Sequence, residues 1–447
     1  MFFNRHIIIP LLVSILFLSC SKKEHDSIPE TPSIKIDFVK TLGGSLNERG
    51  QALTKTIDGG YAILGYTQSS DEDITNKLND SFDYWLLKYD QNNTLEWQKT
   101  YGGKNDDRGT DLIQTSDGGF AIIGYSNSND GDVNTNNGAN DFWICKLDAL
   151  GNISWEKSFG FLGADSGNTI IQTQDQGYLI SGVLDVSASN GAGNSKTAGT
   201  KHAGGDYWAI KLNTSGEKEW SHYYGGTFTD IPYDAIQTDD RGYILVGSSD
   251  SNDVDIKNNK GTYDFWVIKI SPEGSLIWEK SFGGSQIDEA YAITKSIDGN
   301  YLIVGDTRSN NLDVSHNNGA ADLWIIKISP EGNLIWEHTY GGSSFDVGRS
   351  ISNAHDGGFI ISGSSRSADG DLTKNNGQND AWILKIDANG NLIWQKTIGG
   401  SNIDFAFDAI ELNDESIITI GESSSSDIDI NSNKGFSDVL IFKINKI

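Results

Sequence analysis

Trp278-Glu-Lys-Ser-Phe282-Gly283-Gly284-Ser-Gln-Ile-Asp288 decides the fold, because its parts return at fixed spacing along the chain. The tryptophan stands at Trp97, Trp155, Trp220, Trp278, Trp336 and Trp394, followed shortly by Gly-Gly, or by Gly160-Phe161 after Trp155. Four of the intervals are 58 residues and one, from Trp155 to Trp220, is 65. Phe38 holds the same place before Gly43-Gly44, one period upstream. A period of this length marks a solenoid or a propeller, not a string of independent domains. Each period holds four short segments rich in β-branched and aromatic residues, bounded by Gly, Asn and Asp turns. In the second period they are 110–115, 119–125, 141–147 and 152–159. No segment shows a 3.6-residue apolar period, so helices are not expected. Four strands per repeat make a propeller blade.

The ends of the chain set the number of blades. The first three strands occur seven times, the last set ending at Asp438-Val-Leu-Ile-Phe-Lys443. The fourth strand also occurs seven times, but its first copy is Ile34 to Lys40 and none follows Lys443. Pairing the N-terminal strand with the C-terminal three completes an all-β, seven-bladed ring over 34–447, leaving only short blade edges exposed.

Composition agrees with this. The 447 residues include 51 Gly, 6 Pro and one Met, with 12 Trp, 16 Tyr and 18 Phe to build a core. That profile fits many tight turns and excludes a helical bundle. With 34 Lys plus Arg against 61 Asp plus Glu, the formal charge is −27. Sequence-independent nucleic-acid binding, which needs a positive surface, is excluded.

Three polar positions recur in every repeat. An acid follows the second glycine position by four residues: Glu48, Asp107, Asp165, Asp230, Asp288, Asp346 and Asp404. Ten residues later comes an Asp: Asp58, Asp117, Asp175, Asp240, Asp298, Asp356 and Asp414. The third strand carries Asp-x-x-x-x-Lys, from Asp83 with Lys88 to Asp438 with Lys443. A catalytic centre is needed once, whereas these groups appear seven times. They read as scaffold: turn caps, and a lysine whose stem lies on apolar surface while its head meets an acid. Gly65, Gly124, Gly182, Gly247, Gly305, Gly363 and Gly421 end the second strand and imply a bulge or a close backbone approach.

Phe282-Gly-Gly-Ser-Gln-Ile-Asp288, Asp298-Gly, Gly305-Asp-Thr-Arg-Ser309 and Asp322-Leu-Trp324-Ile-Ile-Lys327 resemble the SBBP-type seven-bladed β-propeller repeats of bacterial extracytoplasmic proteins. The resemblance covers roughly residues 38 to 447. It implies a fold and supplies no catalytic residues.

The N-terminus agrees with export. Arg5 and His6 precede an apolar run from Ile7 to Leu18, too short to span a membrane and suited to a signal peptide over 1–19. Leu18-Ser19-Cys20 resembles the lipobox of bacterial lipoproteins, with Phe17 where Leu is usual. Cys20 is then the lipidated residue, 20–33 a polar tether, and the cell envelope, on the outer membrane, the expected location. Cys145, the other cysteine, sits in an apolar strand and reads as a small core hydrophobe.

Functional candidates lie in the loops and where the repeat breaks. The loop after the second strand carries spaced acids, such as Asp71 and Asp73, Asp253 and Asp255, and Asp427 and Asp429, so one face of the ring is acidic. Asp130, Asp132 and Asn134, with Asp141 beyond, offer alternating oxygens to calcium. The third repeat holds the seven extra residues, within 187–205, including Lys196, Lys201 and His202. His202, His222 and Tyr223 are the candidate base and acid of a polysaccharide lyase. The primary reading is a binding or scaffolding module for an envelope protein or glycan, lipid-anchored and without a required cofactor. The lyase is the alternative. An enzyme needs a deep central pocket where His, Tyr, Arg or Lys converge; a scaffold needs only a broad face.

Overall fold

The computed structural model describes residues 34–194 and 202–446, besides Met1, and holds 28 strands with no α-helix among them. Numbered β1–β28 in chain order, they form seven four-stranded antiparallel sheets. The first blade runs β2 (Glu48–Lys55), β3 (Tyr61–Thr67), β4 (Asp83–Tyr89), β5 (Leu95–Tyr101), from the central channel outward. In the second blade the innermost strand is Asp107–Gln114. It starts three residues earlier than its apolar pattern predicts, because Asp107 already pairs with Ser126.

Ring closure follows the expected route. β1 (Ile34–Leu42) pairs antiparallel with β28 (Asp438–Lys446), aligning Phe38 with Lys443 and Lys40 with Ile441. The seventh blade is thus shared by the two ends of the described chain.

Third strands are sandwiched between neighbouring blades, so both of their faces are apolar. Trp85, Trp143, Trp208, Trp266, Trp324 and Trp382 are essentially fully buried there, with Leu440 in the equivalent place in blade 7. Burying such a side chain removes about 150–250 Å² from water, or about 4–6 kcal/mol of gross stabilisation. Tyr84 donates its hydroxyl proton to the Trp143 carbonyl (3.0 Å), and Tyr207 to that of Trp266 (2.9 Å), stitching blade 1 to blade 2 and blade 3 to blade 4. Cys145 is buried in the same layer and free.

The recurring polar groups are scaffold, as their repetition implies. Each third-strand lysine reaches the turn aspartate of its own blade. The distances are 2.8 Å for Lys88–Asp58, 2.9 for Lys146–Asp117, 3.0 for Lys211–Asp175 and 2.6 for Lys269–Asp240. They are 2.7 Å for Lys327–Asp298, 2.6 for Lys385–Asp356 and 3.3 for Lys443–Asp414. Each first-strand acid accepts the backbone N–H four residues before it, for example Gly284 to Asp288 (2.7 Å) and Gly342 to Asp346 (2.8 Å).

The recurring glycines have a steric cause. A Cβ on Gly305 would overlap the carbonyl oxygen of Glu289, and the other six meet the same obstacle on their own first strands. That carbonyl lies beside a β-bulge in the innermost strand, between Ala290 and Ala292 in blade 5. The glycine therefore makes room for the bulge.

Two faces result. One carries the loops after second strands and those joining blades; the other carries the tight Asp-Gly turns. Ile34 aligns with Lys446, so the described chain begins on the turn face. Residues 1–19, Cys20 and its tether, and Lys196 and Lys201, lie outside the described residues apart from Met1.

Candidate functional site

The bulges build a cavity. In a regular strand, successive side chains point to opposite sides. A bulge breaks that alternation and turns two consecutive residues toward the axis. All seven innermost strands bulge at the same place. The pairs are Gln51-Ala52, Thr110-Asp111, Asn168-Thr169, Tyr233-Asp234, Tyr291-Ala292, Arg349-Ser350 and Phe407-Asp408, and together with Arg49 and Ile351 they line an axial cavity of about 370 Å³. No two of these seven pairs are the same.

Three of these side chains serve the walls. Asp111 accepts the N–H of Leu112 (2.8 Å) and, from the next blade, that of Ile170 (2.8 Å). Asp234 links Ala235 (2.7 Å) to Ile293 (2.9 Å), and Asp408 links Ala409 (2.8 Å) to Leu53 (2.9 Å). Burial pushes Asp111 up to about 7 and Asp234 and Asp408 to about 6, against the pull of these N–H groups. They are inter-blade clasps whose carboxyls take up a proton nearer neutrality than an ordinary aspartate does.

The rest of the lining is aromatic and cationic. The Arg49 guanidinium lies 3.7 Å from the Phe407 ring centre, with its Nε 3.6 Å from Glu422. Across the channel Arg349 lies 4.0 Å from the ring centre of Tyr291, whose ring is 4.9 Å from Tyr233. Burial raises Asp306 to about 7 while Arg349 pulls it down; burial works against the arginine's charge, but Tyr291 and then Asp306 raise it. Only seven arginines occur in the chain, and two of them face this cavity. The carbonyl oxygen of the Gln51 side chain is buried there without a hydrogen-bond partner. Burial holds Tyr233 up to about 12, so its phenol remains a proton donor at neutral pH. Such a lining brings cationic, ring-face and amide-oxygen groups together in one cavity.

The sequence candidates fall elsewhere. His202 bonds Asp206 through Nδ1 (2.6 Å) and its ring meets Tyr223 at 5.0 Å. His222 bonds Asn194 (2.8 Å). Both His222 and Tyr223 sit within the outermost strand of blade 3, Lys218–Tyr224, rather than at its start. As neighbours in one strand they point to opposite faces, so His202 and Tyr223 come together and His222 does not join them. The group lies on the outer edge of the ring, away from the channel.

The calcium candidates are occupied as caps. Asp130 accepts the Lys104 N–H (2.9 Å) and pairs with its ammonium (2.9 Å). Asp132 accepts from Gly102 (3.2 Å), Asp141 from Asn137 (2.7 Å), and Asn134 bonds Glu156. Among the described residues no group of three or more His, Cys, Asp or Glu is arranged to hold a metal ion.

No family model matches the chain. It is 20% identical over 410 residues to the regulatory protein FlaEY of Caulobacter vibrioides, covering 82% of this chain and 41% of that protein. The chain thus spans under half the length of that curated relative. Among solved structures, Sqt1 from Chaetomium thermophilum aligns over 92% of this chain and 100% of its own, at 10% identity and a TM-score of 0.48. The β-propeller domain of the Trilobed protease from Pyrococcus furiosus aligns over 92% and 96%, at 11% identity and 0.42.

The channel lining escaped sequence reading because no residue type recurs there in all seven repeats and none is a histidine. The available signal was register: counted from each first-strand acid, the first, third and fourth residues change from repeat to repeat.

Proposed function

We propose that the protein is a lipid-anchored, SBBP-type propeller of the cell envelope that binds an envelope protein or glycan at its channel. The observation that carries this is the cavity in which seven strands with the same bulge present seven different pairs of side chains. A merely structural axis would be filled by repeated apolar residues, as the layer between the blades is. The anchor reading rests on Leu18-Ser19-Cys20, and the place of Ile34 on the turn face agrees with it. A tether attached there directs the turns toward the membrane and the loop face away from it.

The test is retention of the purified protein on outer-membrane fragments and on immobilised envelope polysaccharides. Phe407→Ala with Tyr291→Ala is expected to weaken retention at least tenfold while changing the melting temperature by only a few degrees. Retention equal to that of the unmodified protein would refute the channel as the site. Release of unsaturated sugar products from any polysaccharide would instead favour the lyase.

A further inference from the structure

A second surface, independent of the channel reading, stands out at one turn of the loop face. In the loops of blades 1, 2, 4, 5, 6 and 7 two side chains reach back to the segment joining the blades. In blade 4 Asp253 accepts the Thr227 N–H (3.0 Å) and Asp255 that of Gly225 (3.3 Å). In blade 5 Asn311 and Asp313 do the same with Ser285 (2.9 Å) and Gly283 (3.2 Å), and in blade 7 Asp427 and Asp429 with Ser401 (2.8 Å) and Gly399 (3.4 Å). These two clasps force the residue between them into the left-handed region.

Glycine is the unstrained occupant, and blades 2 and 6 have it, Gly131 at φ 68° and Gly370 at φ 66°. Blade 1 has Glu72 at φ 56°. Blades 4, 5 and 7 instead carry Val254 (φ 57°), Leu312 (φ 61°) and Ile428 (φ 61°). Among the described residues these are the only apolar non-glycine side chains with positive φ. Two are β-branched, the type least tolerant of that conformation. Nor are they buried, being 40%, 67% and 57% exposed. Backbone preference and hydration both oppose the choice, and the neighbouring blades show that the loop does not require it. Strain combined with an exposed apolar side chain points to function.

The surroundings define what fits. Each of the three side chains stands between acidic or amide groups, and Asp427 is held anionic by the Ser401 N–H. Phe228, 59% exposed, follows the Thr227 that also bonds Asp253 through its hydroxyl, so it flanks the Val254 turn. The chain as a whole carries −27, which disfavours both a second copy and an anionic membrane. We propose that Val254, Leu312 and Ile428 are apolar anchors of a docking face for a basic protein, whose apolar sockets are ringed by Lys or Arg. The acids steer the encounter and the anchors hold it.

The test uses the full folded chain and a 20-residue amphipathic Leu–Lys peptide as probe, followed by fluorescence anisotropy. A Leu–Glu peptide and phosphatidylglycerol vesicles serve as controls. Binding of the Leu–Lys peptide is expected to weaken at least tenfold in the triple variant V254G/L312G/I428G and to fall steeply with added salt. The variant's melting temperature should be equal or higher, since glycine relaxes the turn. The Asn variant V254N/L312N/I428N, which tolerates the same φ, guards against a folding defect. Failure of the unmodified chain to bind Leu–Lys, equal binding by the variants, or preference for Leu–Glu or vesicles would each overturn the proposal. So would a loss of stability in both variants, or self-association abolished by them. A null result here leaves retention by the channel untouched, so the two readings fail separately.

Discussion

The strand-to-turn ties make an asymmetric prediction. In the Lys146–Asp117 pair the lysine side chain is 9% exposed and the aspartate 63%. Burial works against ionisation of Asp117, yet Thr115, Lys146 and the Gly119 N–H hold it down to about 2, from 3.8. The difference, 3.8 − 2, or ~1.8, corresponds to about 2.5 kcal/mol shared by three partners, and solvent screening of so exposed a carboxylate reduces it further. Lys146→Met leaves a hydrated carboxylate that still caps its turn, and the Met stem keeps the apolar contact. The expected cost is about 1 kcal/mol or less. Asp117→Asn also keeps the cap but strands a buried ammonium, at about 2–4 kcal/mol. With an unfolding entropy of roughly 2.1 cal/mol/K per residue over about 400 residues, 1 kcal/mol moves the melting temperature by about 1 °C. Chemical denaturation, which resolves such differences better, is the assay of choice. The double variant should resemble Lys146→Met alone, because removing the lysine removes the stranded charge. If Lys146→Met proves the more damaging single change, the buried-lysine argument is wrong.

Acidity supplies a second test. Burial raises Asp83, Asp230 and Asp264 to about 7, and Asp322, Asp380 and Asp438 to about 6. A raised carboxyl binds its proton in the folded state before the unfolded chain does, so its penalty is present above the folded value and relieved as pH falls through it. Stability should therefore rise from pH 8 to about 5.5, by about 1.4 kcal/mol per pH unit for each extra proton bound. A flat or falling melting temperature over that range contradicts it. Acid loss then begins below the unfolded value of about 3.9, toward the folded value near 2 of Asp58, Asp117 and Asp240. Gly305→Ala, where a Cβ overlaps the bulge carbonyl, is expected to cost several kcal/mol, whereas Gly299→Ala, at φ +84° with open space around it, costs about 1–2 kcal/mol. Similar melting curves for the two would dismiss the bulge argument. Cys20→Ser should abolish incorporation of labelled palmitate and release the protein from membranes; continued labelling would place the lipid elsewhere.

How much the sequence reveals depends on how many neighbours a feature needs. The tryptophan period and the displaced fourth strand at Phe38 are properties of one strand, and they led directly to the β1–β28 seam. Lys327 and Asp298 were legible as partners in kind, since a lysine among Trp324, Ile325 and Ile326 must find an acid, and both recur together. The loop acids were harder. Asp427 reads as a free surface charge until the fold brings the Ser401 N–H, 26 residues away, to 2.8 Å. The channel was hardest, because Tyr291 and Ala292 count as opposite faces under strict alternation and become neighbours only through the bulge.

That difficulty is also the reason to look for function on the axis. Every scaffold position is repeated seven times because seven blades must make the same turn, tie and cap. A ligand on the axis meets all seven innermost strands at once, and a truly sevenfold lining offers it seven equivalent orientations. Discrimination requires that the equivalence be broken, which demands different residues at one register position and no change in the backbone that presents them. The bulges achieve this: Gly305 and its counterparts keep the backbone constant while Gln51, Thr110, Asn168, Tyr233, Tyr291, Arg349 and Phe407 vary on it. The stacked guanidiniums of Arg49 and Arg349 and the unpartnered oxygen of Gln51 then give the channel a polarity that no blade has by itself.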